Sequence, residues 1–389
     1  MRTRPRLPSL ALAVALTLAG AAAALASGSS APASPAGPLV IAVEGPQSGD
    51  QASNGLDMLR GVRLAVRQLN AAGGLWDGRK VAVYAADDKG DRANAKSVAR
   101  QVAAMGIRFV IGPYNSSVGI ANLALYRRNR VLPLWMTSRD ETAGTGATVQ
   151  PMNSQIAPVE ERYLKTVGAR RVTMIVDDTE NGAFTNGMAV RLRAALQLDG
   201  ASVTWISVEE TGSVPSDYYV AKVAEAVATS PDLLYVSTYF PEGVQIAKAL
   251  TAAGSTPPCL MGLANVDNGF VDGTTIPEAQ RCVFSGVPTA TQMPSAAAYV
   301  RQYRSAFHRA PGIWGSFTFD SAKILFAAIN RAKSDNFGAV QRELRRTTRY
   351  KGATGSITID PSTGYRTVVP VSILRVDAAK NFVIANTAG

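Results

Sequence analysis

From Leu39 onward, the apolar positions of this chain switch repeatedly between two periods. Leu39 to Val43 is a short unbroken apolar run, which suits a strand buried on both faces. Leu56, Leu59, Val62, Val66 and Leu69 then recur at steps of three and four, a single stripe along a helix. Ala72-Gly73-Gly74 ends that helix. The same alternation predicts strands at 80–86, 108–111 and 131–135, with helices over 91–105 and 116–129. After about residue 151 the rhythm restarts. Strands at 171–176, 203–208, 232–237, 258–261 and 282–286 are interleaved with helices at 155–167, 184–198, 217–229 and 241–253. Three helical stretches follow at 294–309, 315–333 and 336–348, and the tail holds β-rich runs at 356–359 and 367–376. Two successive βα series predict an α/β protein with two doubly wound sheets, the chain crossing between them more than once.

The first 38 residues do not belong to that pattern. Arg2, Arg4 and Arg6 precede an uncharged run from Leu10 to Ala26, and Ala24-Leu25-Ala26 places small residues at the −3 and −1 positions. This predicts a signal peptide over 1–26, cleaved between Ala26 and Ser27, and hence a periplasmic protein. An uncleaved anchor is the alternative, but the run is marginal for the roughly 20 apolar residues of a spanning helix. A Ser/Ala/Pro/Gly linker at 27–38, expected to be disordered, follows it, and no Cys stands near the cleavage point to carry a lipid.

With 389 residues, 47% apolar and 18% charged, the chain has material for two globular domains. The net charge is +11, of which the three signal-peptide Arg contribute +3, so the mature chain carries +8. These charges are dispersed, and export argues against nucleic acid as a partner. The one cluster, Arg345, Arg346, Arg349 and Lys351, reads as a solvated helix end. Cys259 and Cys282 are the only cysteines, 23 positions apart. In an oxidising compartment the simplest outcome is one disulfide, worth about 3 kcal/mol by loop entropy; two buried thiols are the alternative.

In this order, several segments resemble the type I periplasmic binding proteins, in particular the leucine/isoleucine/valine-binding group. The segment "IAVEGPQSGD" with "GVRLAVRQLNAAGGLWDGRKVAVYAADDKGD" resembles the family's first strand, helix, Ala-Gly-Gly turn and second strand. "FVIGPYNSS" resembles its third strand and serine loop, and "LLYVSTYFPEGVQIAKALTAAG" with "LMG" its second-lobe strand, turn and helix. The resemblance runs from about Leu39 to Val383. It implies two Rossmann-like lobes joined by three hinge crossings near 150, 288 and 353. Lobe 1 would comprise 39–150 plus 289–352, and lobe 2 would comprise 151–288 plus 353–389. It further implies a monomer that closes around a small carboxylate-bearing solute and delivers it to the permease of an ABC importer, without a cofactor.

Ser116 and Ser117 open a helix directly after a strand, where first-turn amides have no partner within the helix and the dipole favours an anion. Ser116 could merely cap that helix; the resemblance puts it at the ligand's carboxylate. Thr137, Ser138 and Arg139 follow the next strand at the same sheet edge, where open α/β sheets bind ligands. Arg139 stands where the family has Thr, and a guanidinium there would grip a carboxylate. Tyr239 matches the second-lobe aromatic that closes over the ligand. Departures are equally informative: Ala264 replaces the acid that holds an ammonium, and Asn54 and Asn181 stand at positions often aromatic in the family. Asp267 could substitute for the missing acid. Burying an ammonium without a counter-charge is costly, so the expected solute is a branched-chain amino acid-like, aromatic or other organic acid that need not carry an amino group.

An enzyme is the weaker reading. His308, in a predicted helix among Arg304 and Arg309, is the only histidine, which excludes histidine-cluster metal sites and argues against a Ser-His-Asp triad. No P-loop, G-x-S-x-G elbow or G-x-G-x-x-G after a first strand is present. Asp87-Asp88 and Asp177-Asp178 read as solvated strand-end acids. A sensory ligand-binding module of the same fold remains as the second non-enzyme reading.

Overall fold

The computed structural model describes residues 37–254 and 257–385. The signal peptide, its Ala26/Ser27 cleavage point and nearly all of the 27–38 linker lie outside the described residues. The first βα series forms a parallel sheet in the order β2-β1-β3-β4-β5. Its strands are β1 (Leu39–Gly45), β2 (Val81–Asp87), β3 (Phe109–Ile111), β4 (Leu132–Trp135) and β5 (Ala147–Thr148). Between them lie α1 (Ala52–Ala71), α2 (Arg92–Ala104) and α3 (Ser116–Asn129). Ile41, Val43, Phe109, Ile111, Leu132 and Leu134 are buried, as unbroken apolar strands must be when helices cover both faces.

The second series gives β6 (Arg171–Asp177), β7 (Ser202–Val208), β8 (Leu233–Ser237), β9 (Cys259–Met261) and β10 (Val283–Gly286). With them run α4 (Asn153–Thr166), α5 (Ala183–Leu198), α6 (Tyr218–Ala228), α7 (Phe240–Ala252), α8 (Asn268–Asp272) and α9 (Ile276–Ala279). The chain then returns to the first lobe through α10 (Ala297–Phe307), α11 (Trp314–Ala332) and α12 (Phe337–Arg345). There α11 packs along α1 so closely that a Cβ on Gly61 would lie 2.0 Å from the Gly315 carbonyl oxygen. Only glycine permits that approach. A short hairpin, β11 (Tyr350–Gly352) with β12 (Gly355–Ile357), precedes β13 (Ser372–Val376) and β14 (Phe382–Ile384). These last two add antiparallel strands to the second sheet, whose order is β14-β13-β10-β9-β8-β6-β7.

Asp320 of α11 accepts the amides of Ala353 (2.8 Å) and Thr354 (2.7 Å), and the Arg366 amide donates to Thr148 O at 2.9 Å. Ala353, Thr354 and Arg366 are thereby bonded to α11 and β5. Cys259 and Cys282 form a disulfide, with Cα atoms 4.6 Å apart, joining the start of β9 to the residue before β10. No helix among the described residues is long and apolar enough to cross a membrane.

The acid pairs at strand ends were expected in solvent, but one member of each is buried: Asp88 is 0% and Asp177 1% exposed. Adjacent side chains diverge, so one turns inward while Asp87 or Asp178 stays outside. Glu160 of α4 is also fully buried, accepting from Tyr235 Oη at 2.9 Å and from the Ser285 hydroxyl. Burial pushes its carboxyl up from 4.5 to about 7, against the pull of those two hydrogen bonds. Asp88 is raised in the same sense to about 7, chiefly by burial. Between the unfolded and folded values the native state holds protons that the unfolded chain has released, so stability falls as pH rises through that window. Denaturant titrations from about pH 5 to about pH 8 should show a loss of up to about 1.4 kcal/mol per pH unit per group. The slope should be shallower in Glu160→Gln; an identical slope would remove Glu160 as a source.

Candidate functional site

Where the carboxyl ends of β3, β4, β8 and β9 converge, the two lobes line a cavity of about 250 Å3 that is partly open to solvent. The first lobe contributes Tyr114, Ser116, Met136, Ser138 and Trp314, Gln150 stands at the first crossing, and the second lobe supplies Phe184, Tyr239, Leu263 and Ala264. None of the ten lining residues is an acid or a base. Burial pushes the phenols of Tyr114 and Tyr239 well above their ordinary value, so both are neutral donors at physiological pH.

The first-lobe side of the cavity includes the start of α3. Its N-cap is Asn115, whose side chain makes no cap bond and instead donates to Gln51 Oε1 at 3.0 Å. Gly119 is the first amide to bond back into the helix, to Asn115 O. Among the described residues, no hydrogen bond uses the amides of Ser116, Ser117 or Val118. Ser116 is therefore not spent as a cap. Its oxygen accepts from the Ser138 amide at 3.3 Å, leaving its hydroxyl proton available to the cavity.

The other predicted residues divide. Tyr239 is 4% exposed and closes the second-lobe side, its ring 6.3 Å from that of Phe184. Ser138 lines the cavity, but its hydroxyl donates to Pro151 O at 2.7 Å and cannot also donate to a ligand. Thr137 lies behind the wall, its hydroxyl 3.2 Å from that of Thr142. Ser117 and Asn54 are buried with unpartnered polar atoms and do not line the cavity. Arg139, expected to meet an anion, is turned away. It is paired with Glu141 and donates from Nη1 to Ala183 O at 2.8 Å, making an interlobe contact outside the cavity. The nearby acid explains the difference, since a guanidinium beside a carboxylate is already satisfied.

Asn181 faces a second, outer chamber of about 930 Å3 on the far side of Tyr239, and its Oδ1 accepts from the Arg92 amide at 2.9 Å. Asp267 does not reach the cavity. It caps α8 through the Gly269 amide (2.6 Å) and accepts from Ser53 Oγ at 2.7 Å, another interlobe bond. Burial raises its carboxyl to about 6, with the Ser53 and Gly269 bonds opposing. Tyr114, Met136, Gln150, Phe184, Leu263 and Trp314 were not anticipated. Tyr114 stands two residues before Ser116 and shared its signal; Gln150 and Trp314 had none.

The periplasmic binding protein family model matches residues 38–381. A Leu/Ile/Val-binding protein homologue of Brucella melitensis is 27% identical over 330 residues, covering 82% of this chain and 86% of that protein. The leucine-binding protein of Thermotoga maritima superposes with a TM-score of 0.79 at 20% identity, covering 89% and 97% of the two chains. A solute-binding protein of an ABC transporter from Rhodopseudomonas palustris, solved with 3,4-dihydroxybenzoic acid, superposes with a TM-score of 0.75 at 16% identity, covering 88% and 94%.

Proposed function

The chain belongs to the periplasmic binding protein family, of the leucine/isoleucine/valine-binding type, and from that premise we propose that it captures a small carboxylate-bearing solute in the interlobe cavity for an ABC importer. The observation that carries this reading is the union, in one interlobe cavity, of Ser116, at the free-amide start of α3, with Tyr239 from the opposite lobe. Each half alone offers an incomplete site. A solute seated on α3 therefore favours the closed arrangement, because only there does it also meet Tyr239. Relatives named for leucine, isoleucine and valine, and a neighbour holding an aromatic acid, support a carboxylate as the common element. On this reading the protein acts as an extracytoplasmic monomer, the importer's permease recognises the closed form, and Arg139 and Asp267 serve the contact between lobes instead of the solute.

Calorimetry against a panel of amino acids and organic acids, paired with small-angle scattering, tests the proposal. Solute should shrink the particle, and Ser116→Ala should weaken binding by about 1–3 kcal/mol, the worth of a hydrogen bond to a charged group. Unchanged affinity in that variant would move the solute out of this cavity.

A further inference from the structure

We propose that the occupant is an aromatic carboxylate bearing a hydroxyl beside its carboxyl group, read by Gln150, and not an α-amino acid; this rests on the solute-binding reading above. Gln150 is 3% exposed and lies at the first crossing. Its Nε2 donates to Met136 O and, at 3.0 Å, to Ser138 Oγ. A backbone carbonyl only accepts, so the Met136 contact fixes which end of the amide is nitrogen. Oε1 is then left as a buried acceptor without a partner, in a residue that lines the cavity. Leaving such an atom unpaired costs stability, so a ligand donor there is strongly favoured.

Gln150 is bonded through Nε2 to Ser138, whose amide bonds to Ser116 at 3.3 Å, so Gln150 and Ser116 belong to one linked group of cavity-lining side chains. On this proposal the group that Oε1 reads is attached next to the carboxyl carbon of a solute seated on Ser116. In an amino acid that group is an ammonium, but no acid lines the cavity, Ala264 is apolar, and Asp267 is held by Ser53. One neutral acceptor does not compensate a buried cation. A hydroxyl, by contrast, needs one acceptor and carries no charge.

The rest of the ligand meets rings. Tyr114 and Trp314 form a pair from the first lobe, with centroids 5.7 Å apart at 60°, and Phe184 and Tyr239 form the second-lobe pair. A flat ring between two such pairs gains the edge and offset contacts that a branched alkyl group lacks.

Calorimetry on the mature protein with 3-phenyllactate, 3-phenylpropionate and phenylalanine isolates the neighbouring group, and 2-hydroxy-4-methylpentanoate and leucine isolate the ring. Phenyllactate should bind roughly tenfold or more tighter than phenylpropionate. It should also exceed its aliphatic counterpart, with no measurable binding of phenylalanine. Gln150→Leu should bring the phenyllactate-to-phenylpropionate ratio close to unity. Should that variant not fold, Gln150→Glu supplies the counter-charge and should gain phenylalanine binding. Phenylalanine or leucine binding more tightly than the hydroxy acids overturns this inference and leaves the solute-binding reading intact. Equal affinity for phenyllactate and phenylpropionate removes the role of Gln150, and equal affinity for the aliphatic hydroxy acid removes the ring. Binding of none of the five carboxylates would count against the solute-binding reading itself.

Discussion

An Asp57→Ala variant should lose about 3–5 kcal/mol of folding stability, although Asp57 does not line the cavity. The carboxylate is 5% exposed on α1 and accepts from Tyr303 Oη (2.7 Å) and from the amides of Gly312 (3.0 Å) and Gly315. Removing it orphans three donors at once, each costing about 1–3 kcal/mol when buried, with partial recovery if water enters. Burial raises the carboxyl above its ordinary value, and the three hydrogen bonds oppose that rise. Through Gly315 the carboxylate also fixes the start of α11, whose first residue, Trp314, forms part of the cavity wall. The variant should therefore show red-shifted tryptophan emission and weaker solute binding along with its lower midpoint. Asp57→Asn, which keeps one acceptor, should fall between the two. A loss below about 1 kcal/mol in denaturant titration would contradict this account.

Arg366→Ala should cost a similar amount, about 3–5 kcal/mol, by a different route. Its side chain is 2% exposed and contacts no carboxylate; Nη2 donates to Thr354 O (2.8 Å) and Ser356 O (3.0 Å), and Nη1 to Thr354 Oγ1 (2.9 Å). Burial draws the guanidinium down to about 10, with Asp320 opposing, so it remains a cation at neutral pH. Its own backbone ties the end of β5 to the third crossing through Thr148 O, while its carbonyl accepts from Gln155 Nε2 at 2.9 Å. Truncation leaves a void and several carbonyls without donors, exactly where two crossings run side by side. Arg366→Met restores volume without hydrogen bonds, so the difference between the two variants separates packing from pairing. Equal stability of Arg366→Ala and the parent would refute the assignment.

The βα rhythm was legible because strands buried on both faces and one-striped helices leave strong local signals. The helix read over 116–129 coincides with α3, and the helix read over 184–198 begins within one residue of α5. What escaped was short or marginal: β5 has two residues, too few for any period, and β14 lies at the end of the chain. In the site, Ser116 and Tyr239 could be read because each sits at a strand-to-helix junction, a local feature. Ser138 lines the cavity, yet its hydroxyl is committed to Pro151, and nothing in the sequence states where a proton is spent. Gln150 depends on the carbonyl of Met136, and Trp314 on a helix that returns from the far end of the chain. Those are tertiary facts, and local patterning does not carry them.

That return has a consequence for the order in which the molecule can be completed. The Thr318 hydroxyl bonds to Met58 O at 2.9 Å across 260 positions, and Gly61 lies against Gly315. Until the chain beyond Trp314 is available, the face of α1 around Gly61 lacks the helix that packs on it, so an N-terminal fragment ending earlier leaves that face to water. Completion of the first lobe thus waits on the last fifth of the polypeptide, so its parts cannot all settle in the order in which they are made.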